Sequence, residues 1–159
     1  MQIRRTIPDD AEAIADIWNY YIRETIVTFN SQEKHPDDLA RAIGNLETPF
    51  FVAEGDTGLN GFATYSDFRK GIGYARTREH TINLAPGTSG RGLGRALMRA
   101  IEDHAREQGI HSLFAGVSGE NTAGVAFHAA CGYHTVARLS QVGWKFNRWH
   151  DLVLMQKFL

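Results

Sequence analysis

Seven residues, Ser89-Gly90-Arg91-Gly92-Leu93-Gly94-Arg95, constrain most strongly what this chain can become. They follow an apolar-rich run, Thr81-Ile82-Asn83-Leu84-Ala85, and a Pro86-Gly87 break. Leu93, Leu97, Ala100, Ile101, His104 and Ala105 then recur at helical spacing on one face. Glycines therefore sit where a strand turns into a helix. At such a point the first N–H groups of the helix have no partner. The helix dipole adds partial positive charge there, and glycine lets a bulky anion approach the backbone. The arrangement suits a phosphate or pyrophosphate. A glycine-rich turn with no ligand has the same local pattern, so templates must decide. The Gly-Lys-Ser/Thr of an ATPase loop is missing. A dinucleotide fingerprint belongs after the first strand of a βαβ unit, whereas this loop is mid-chain and the strands before it read as hairpins.

The frame around the loop is that of an ordinary globular protein. A chain of 159 residues with 43% hydrophobic side chains suits one domain, residues 1–159, with a sizeable core. A formal net charge of -1 gives no global basic field for a nucleic acid. The single cysteine, Cys131, allows no internal disulfide and fits a reducing compartment. The first residues lack the apolar core of a signal peptide, and no run is long enough to span a membrane. A soluble, cytoplasmic protein is expected. The seven histidines show no metal-ligand spacing, so no metal is expected.

Taken in order, residues 3–7 read as a strand. Pro8-Asp9-Asp10 starts a helix with Ile14, Ile17, Trp18 and Tyr21 as its buried stripe. It fades near Arg23, before the β-branched run at 25–29. His35-Pro36-Asp37-Asp38 opens a second helix through about Leu46. Strands are expected at 50–54 and 61–68, joined by a turn at Asp56-Thr57-Gly58, and at 74–85. The glycine loop and its helix follow, then a helix stop at Gly109 and a strand at 111–117. A helix over 121–131 ends at Gly132, and strands at 133–139 and 151–157 close the sheet. The order is β-α-α-β-β-β-α-β-α-β-β, an α/β layered domain with a mixed, mostly antiparallel central sheet flanked by helices.

Both the order and the loop resemble the general N-acetyltransferase (GNAT) superfamily. Its pyrophosphate loop is written Gln/Arg-x-x-Gly-x-Gly/Ala; Gly92 and Gly94 match the glycines, and Ser89 stands where Gln or Arg is usual. The stretch from Asn121 to Tyr133 resembles the second signature block. Arg78-Glu79-His80-Thr81, His128 and the tail from Gly143 to Leu152 are similar to the phosphinothricin and methionine sulfoximine acetyltransferase branch. The resemblance implies transfer of an acetyl group from acetyl-CoA to the α-amino group of a small amino-acid-like substrate: phosphinothricin, methionine sulfoximine or methionine sulfone. It also implies a homodimer. The same fold acting on a polyamine, an aminoglycoside or a protein N-terminus remains open, as does a coenzyme A-binding sensor without catalysis.

Amine acetylation needs a group that takes a proton from the ammonium, and donors for the negative oxygen of the tetrahedral intermediate. Glu79 is the candidate base, and a solvated or salt-bridged glutamate beside Arg76 or Arg78 is the competing reading. His128 is the candidate for proton transfer or for protonating the leaving sulfur, against a satisfied histidine on an apolar helix face. The resemblance assigns the cofactor to Asn83 and Leu84 at the strand end, to the loop residues Ser89, Gly90, Arg91, Gly92, Leu93, Gly94 and Arg95, and to Asn121, itself a good N-cap. For the amine, Phe29 is a candidate wall. Arg69 or Lys70 is a candidate partner for a substrate carboxylate, against an exposed basic turn. Trp144 and Trp149 read as core or interface aromatics, and Cys131 as packing.

Overall fold

In a computed structural model, which describes residues 1–45 and 48–159, the chain forms β1 (Gln2–Arg5), α1 (Ala11–Glu24), α2 (Pro36–Gly44), β2 (Phe50–Gly55), β3 (Gly58–Asp67), β4 (Thr77–Leu84), α3 (Leu93–Glu107), β5 (Ser112–Ser118), α4 (Thr122–Ala130), β6 (His134–Lys145) and β7 (Arg148–Phe158). This is the expected order. A 3-10 turn at Pro8–Asp10 leads into α1. The second helix ends at Gly44, and its expected end at Leu46 lies outside the described residues.

The seven strands make one sheet in the order β1-β2-β3-β4-β5-β7-β6. All neighbours are antiparallel except β4 and β5. The helical stripes explain the layering. On one face, Ile14 and Ile17 of α1 and Leu39 of α2 pack with Val52 and Phe62. On the other, Leu97, Met98 and Ile101 of α3 pack with Ala63, Leu113 and Met155. Burying each of these side chains other than Ala63 contributes about 1.5–3 kcal/mol relative to leaving it exposed.

One pairing shapes the site. β4 and β5 run parallel from Thr77↔Ser112 to Glu79↔Phe114, and no further. Beyond that point β4 stays paired to β3, through Gly61↔Leu84, while β5 stays paired to β7, through Ser118↔Leu152. The sheet therefore splits between His80–Leu84 of one strand and Ala115–Ser118 of the other. α3 and α4 start at the open end of the split.

Two expectations need correcting. The strand expected at 74–85 begins at Thr77, because Ile72–Tyr74 forms an exposed 3-10 turn. The last two strands are longer than expected and form one hairpin, with Trp144↔Trp149 and Lys145↔Arg148 as pairs. Its two-residue turn is Phe146-Asn147, with φ of 52° and 62°. Such turns need positive φ at both positions, which Asn tolerates and Phe does not advertise. Of the two readings of Trp144 and Trp149, core or interface, the exposure of both rings removes the first. Each is 53% exposed, and the two rings meet edge to face at 5.0 Å.

Candidate active site

The split opens into a cavity of about 730 Å³. Ser89, Gly90, Gly92, Leu93, Gly94 and Arg95 line one end. The loop reaches this shape through left-handed glycines, with φ of 85° at Gly90 and 75° at Gly92. Gly92 is the N-cap of α3 and brings no side-chain cap. The first bond of the helix runs from the Ala96 N–H to the Gly92 carbonyl at 3.1 Å. The N–H groups of Leu93, Gly94 and Arg95 are left without intrahelical partners. Gly94 also lets the helix lie against α4, since a Cβ there would sit 3.0 Å from the Phe127 ring. This end is fit to hold a phosphorylated ligand by backbone groups. Arg95 lines the cavity, while Arg91 is exposed and outside the lining.

Asn121 stands at the start of α4, also in the lining. Its Oδ1 accepts the Gly124 N–H at 2.9 Å, the cap expected from the sequence. Asn83 is buried in the lining, beside Leu84. The Leu84 carbonyl is already occupied, accepting from the Tyr21 hydroxyl at 2.7 Å.

Glu79 marks the point where the split begins. Its carboxylate makes no hydrogen bond or ion pair among the described residues, and Arg78 pairs with Asp67 instead. A Cβ on Gly116 would lie 2.9 Å from Glu79 Oε1, and Leu152 borders the same spot. Gly116 thus makes room for the carboxylate between the strands. Burial pushes the Glu79 carboxyl above the ordinary glutamate range. A half-buried carboxylate with no cation beside it, in a cavity wall, is chemically able to accept a proton.

His128 is buried against a second imidazole that the sequence did not single out as functional. Its Nδ1 lies 2.7 Å from the Gly124 carbonyl, which can only accept, so Nδ1 carries the proton. Its Nε2 lies 2.9 Å from His80 Nε2. In the neutral pair His80 donates and His128 accepts. His80 Nδ1 then remains a buried acceptor without a partner. Burial, with His128 alongside, pushes His80 down to about 3, and burial also lowers His128. Neutral His128 therefore has no free N–H to deliver.

Phe29 lines the cavity, whereas Arg69 and Lys70 do not. Both cations are exposed on the turn after β3, and Arg69 lies over the Tyr74 ring at 5.6 Å. Besides Arg95, the lining holds a second cation, Lys34, which the sequence reading missed. The Asn19 side chain holds its backbone on both sides, accepting from Lys34 N–H at 2.7 Å and donating to its carbonyl at 2.9 Å. Its ammonium stands over the Trp18 ring at 4.6 Å. Nothing local in Gln32-Glu33-Lys34-His35 announces this, because the placement depends on the packing of α1.

Among the described residues no cluster of His, Cys, Asp or Glu is arranged to hold a metal ion, and no helix is long and apolar enough to cross a membrane.

The family profile described as "Acetyltransferase (GNAT) domain" matches residues 3–154. The chain is 35% identical to an L-amino acid N-acyltransferase of Escherichia coli, over 98% of this chain and 92% of that one. It is 34% identical to the L-methionine sulfoximine/L-methionine sulfone acetyltransferase of Salmonella typhimurium, over 98% and 93%. The solved structure of a putative acetyltransferase from Salmonella typhimurium, with its cofactor acetyl-CoA, superposes with a TM-score of 0.95 at 33% identity, covering 100% of this chain and 94% of that one. A split sheet with a bare helix N-terminus at its mouth thus comes with a profile and relatives that span nearly the whole chain, which belongs to the GNAT acetyltransferase family.

Proposed function

We propose that this chain is an acetyl-CoA-dependent N-acetyltransferase that acts on the α-amino group of a small amino-acid-like substrate, of the methionine sulfoximine, methionine sulfone or phosphinothricin type. The observation that carries the reading is Glu79: a raised, unpartnered carboxylate at the inner end of a cavity whose other end is a bare helix N-terminus. The relatives named for L-amino acids and for methionine sulfoximine support the substrate class.

Acetyl-CoA supplies the acetyl group as a thioester. The N–H groups of Leu93, Gly94 and Arg95 hold its phosphates, and Arg95 adds charge. From Leu84 back to Glu79 is five residues of strand, roughly 17 Å. Along it the unpaired edge of β4 offers backbone donors and acceptors to an extended, amide-bearing arm. Asn121 has spent Oδ1 on its cap and keeps Nδ2 as a donor to the same arm.

Glu79 takes a proton from the incoming ammonium, directly or through one water, and so leaves a lone pair free to attack. Its raised affinity for protons brings it nearer to that task. The His80–His128 pair is a neutral polar wall beside the reacting centre. Proton donation from His128 to the leaving sulfur would require the pair to take up an extra proton, which burial opposes. A homodimer in the cytoplasm belongs to the same proposal. The exposed Trp144, Phe146 and Trp149 at the hairpin tip support self-association, which light scattering checks.

The test is release of free thiol from acetyl-CoA by the purified protein. The amine panel holds phosphinothricin, methionine sulfoximine, methionine sulfone, standard amino acids, spermidine and a short peptide. Turnover confined to the amino-acid-like amines is the expected result. Turnover with spermidine or the peptide alone would discard the substrate class and keep the fold.

A further inference from the structure

Lys145, the last residue of β6, is 5% exposed. Its ammonium donates to the carbonyls of Thr25 at 2.6 Å, Thr28 at 2.7 Å and Tyr21 at 3.4 Å. No carboxylate pairs with it among the described residues. A buried cation without a counter-ion is costly unless its donors are satisfied, and here three backbone carbonyls accept from it while the Phe146 ring lies 5.1 Å from the ammonium. Two of these come from the last turn of α1 and its C-cap, where a cation also meets the negative end of the helix dipole. The third is Thr28. Burial lowers the proton affinity of Lys145, as desolvation of an ammonium should.

The segment so held runs directly into the cavity wall, where Thr28, Phe29 and Asn30 line the same cavity as Glu79. The same hairpin grips it twice more. The Phe29 ring lies flat over Gly143, where any Cβ would run into it. It also stacks on His150 at 5.3 Å and 27°. His150 is itself fixed between the Lys145 carbonyl and the Glu120 carboxylate, at 2.9 Å each. Three positions of one hairpin thus converge on one short segment.

We infer that Lys145 is a positioning residue for the amine side of the reaction: its ammonium pins residues 25–28 to the β6–β7 hairpin and so holds Phe29 in place as a wall of the amine pocket. The inference rests on the reading that the amine enters between Phe29 and Glu79. It extends that reading by assigning a pocket wall to the hairpin rather than to the segment's own conformation. A mere structural staple would lower overall stability and leave the two substrates equally affected. A pin for the pocket wall separates them.

The experiment compares wild type with Lys145→Met and Lys145→Arg. Hydrogen exchange is followed in the ligand-free proteins, and KM is measured for the amine and for acetyl-CoA. Lys145→Met should raise exchange in residues 25–30 by about tenfold and leave α3 and β5 unchanged. Amine KM should rise by about tenfold, with acetyl-CoA KM within twofold. Lys145→Arg, which keeps the charge but fits three carbonyls less well, should show the same split at smaller size. It also serves as the test if the methionine variant does not fold. Unchanged exchange at 25–30, or equal rises in both KM values, would overturn the assignment. Exchange in the ligand-free protein needs no turnover, so an inactive wild type would sink the proposed reaction and still leave the pin measurable.

Discussion

The two ends of the cavity are built in opposite ways. The α3 end comes from one short loop, residues 89–95 with Arg91 outside the lining, and presents backbone N–H groups exposed by left-handed glycines. The end around Glu79 is assembled from separate segments: Phe29 after α1, Glu79 on β4, Gly116 on β5 and Leu152 on β7, with Lys145 and His150 behind them. One end is a local motif that any chain can carry to the mouth of a split sheet. The other exists only when the whole topology is in place. Backbone recognition suits a ligand that is always the same, and side chains from distant segments suit one whose identity differs between relatives. Substitutions at the two ends should therefore divide cleanly between the two substrates.

The largest effect is expected at the junction. Glu79→Gln should lower kcat by about 10²–10⁴-fold, the range for removing a positioned general base, with acetyl-CoA affinity unchanged by calorimetry. A carboxylate base works when ionised. Because burial raises the Glu79 pKa, wild-type activity should fall with decreasing pH already above the ordinary glutamate range. The acid limb should flatten in the glutamine variant. A variant that keeps its rate and its limb would move the base elsewhere.

Gly143→Ala comes next and acts on the acceptor end alone. The new methyl group occupies the place of the Phe29 ring. Displacing a packed ring costs about 1–3 kcal/mol, which corresponds to a rise in amine KM of roughly 5- to 150-fold. Steady-state kinetics with each substrate varied in turn checks the split. A matching rise in acetyl-CoA KM would show that the two ends are not independent.

Gly92→Ala is the counterpart at the other end. It puts a Cβ on a left-handed residue, at about 1–2 kcal/mol, and tilts the N–H groups that follow. Acetyl-CoA should bind roughly 5- to 30-fold more weakly by calorimetry, while amine KM at saturating acetyl-CoA stays put.

The same division explains what could be read from the sequence. The order of elements, the glycine loop, the Asn121 cap and the Gly132 stop were legible because each is a local pattern with a local cause. Phe29 and Glu79 were placed through the resemblance, since nothing in their neighbours points across the sheet. His80, Gly116, Lys34 and Lys145 were not read as site residues at all. Lys145 lies more than a hundred positions from the carbonyls it binds. Its value comes from a hairpin whose turn, Phe146-Asn147, carries one residue that sequence rules disfavour at positive φ. Arg69 and Lys70 left two readings open, a substrate partner or an exposed basic turn. Two cations beside glycines fit either, and the structure leaves both exposed and outside the cavity lining.

The smallest effect tests the backbone character of the α3 end most sharply. Arg91 and Arg95 both flank the loop, but Arg95 lines the cavity and Arg91 does not. Both are exposed. An exposed charge near a phosphate gains about 0.2–1 kcal/mol and is screened by salt within about 10 Å at 0.1 M. Arg91→Ala should therefore weaken acetyl-CoA binding by no more than about fivefold at low ionic strength, and the loss should vanish as salt is raised. Arg95→Ala should lose somewhat more and keep part of the loss in salt. The backbone N–H groups, fixed by the fold and aimed at one spot, should hold most of the affinity in both variants. Salt titrations of acetyl-CoA binding to the two variants separate these terms. If Arg91→Ala instead abolished binding at every salt concentration, that end too would be built from side chains, and the contrast between the two ends would fail.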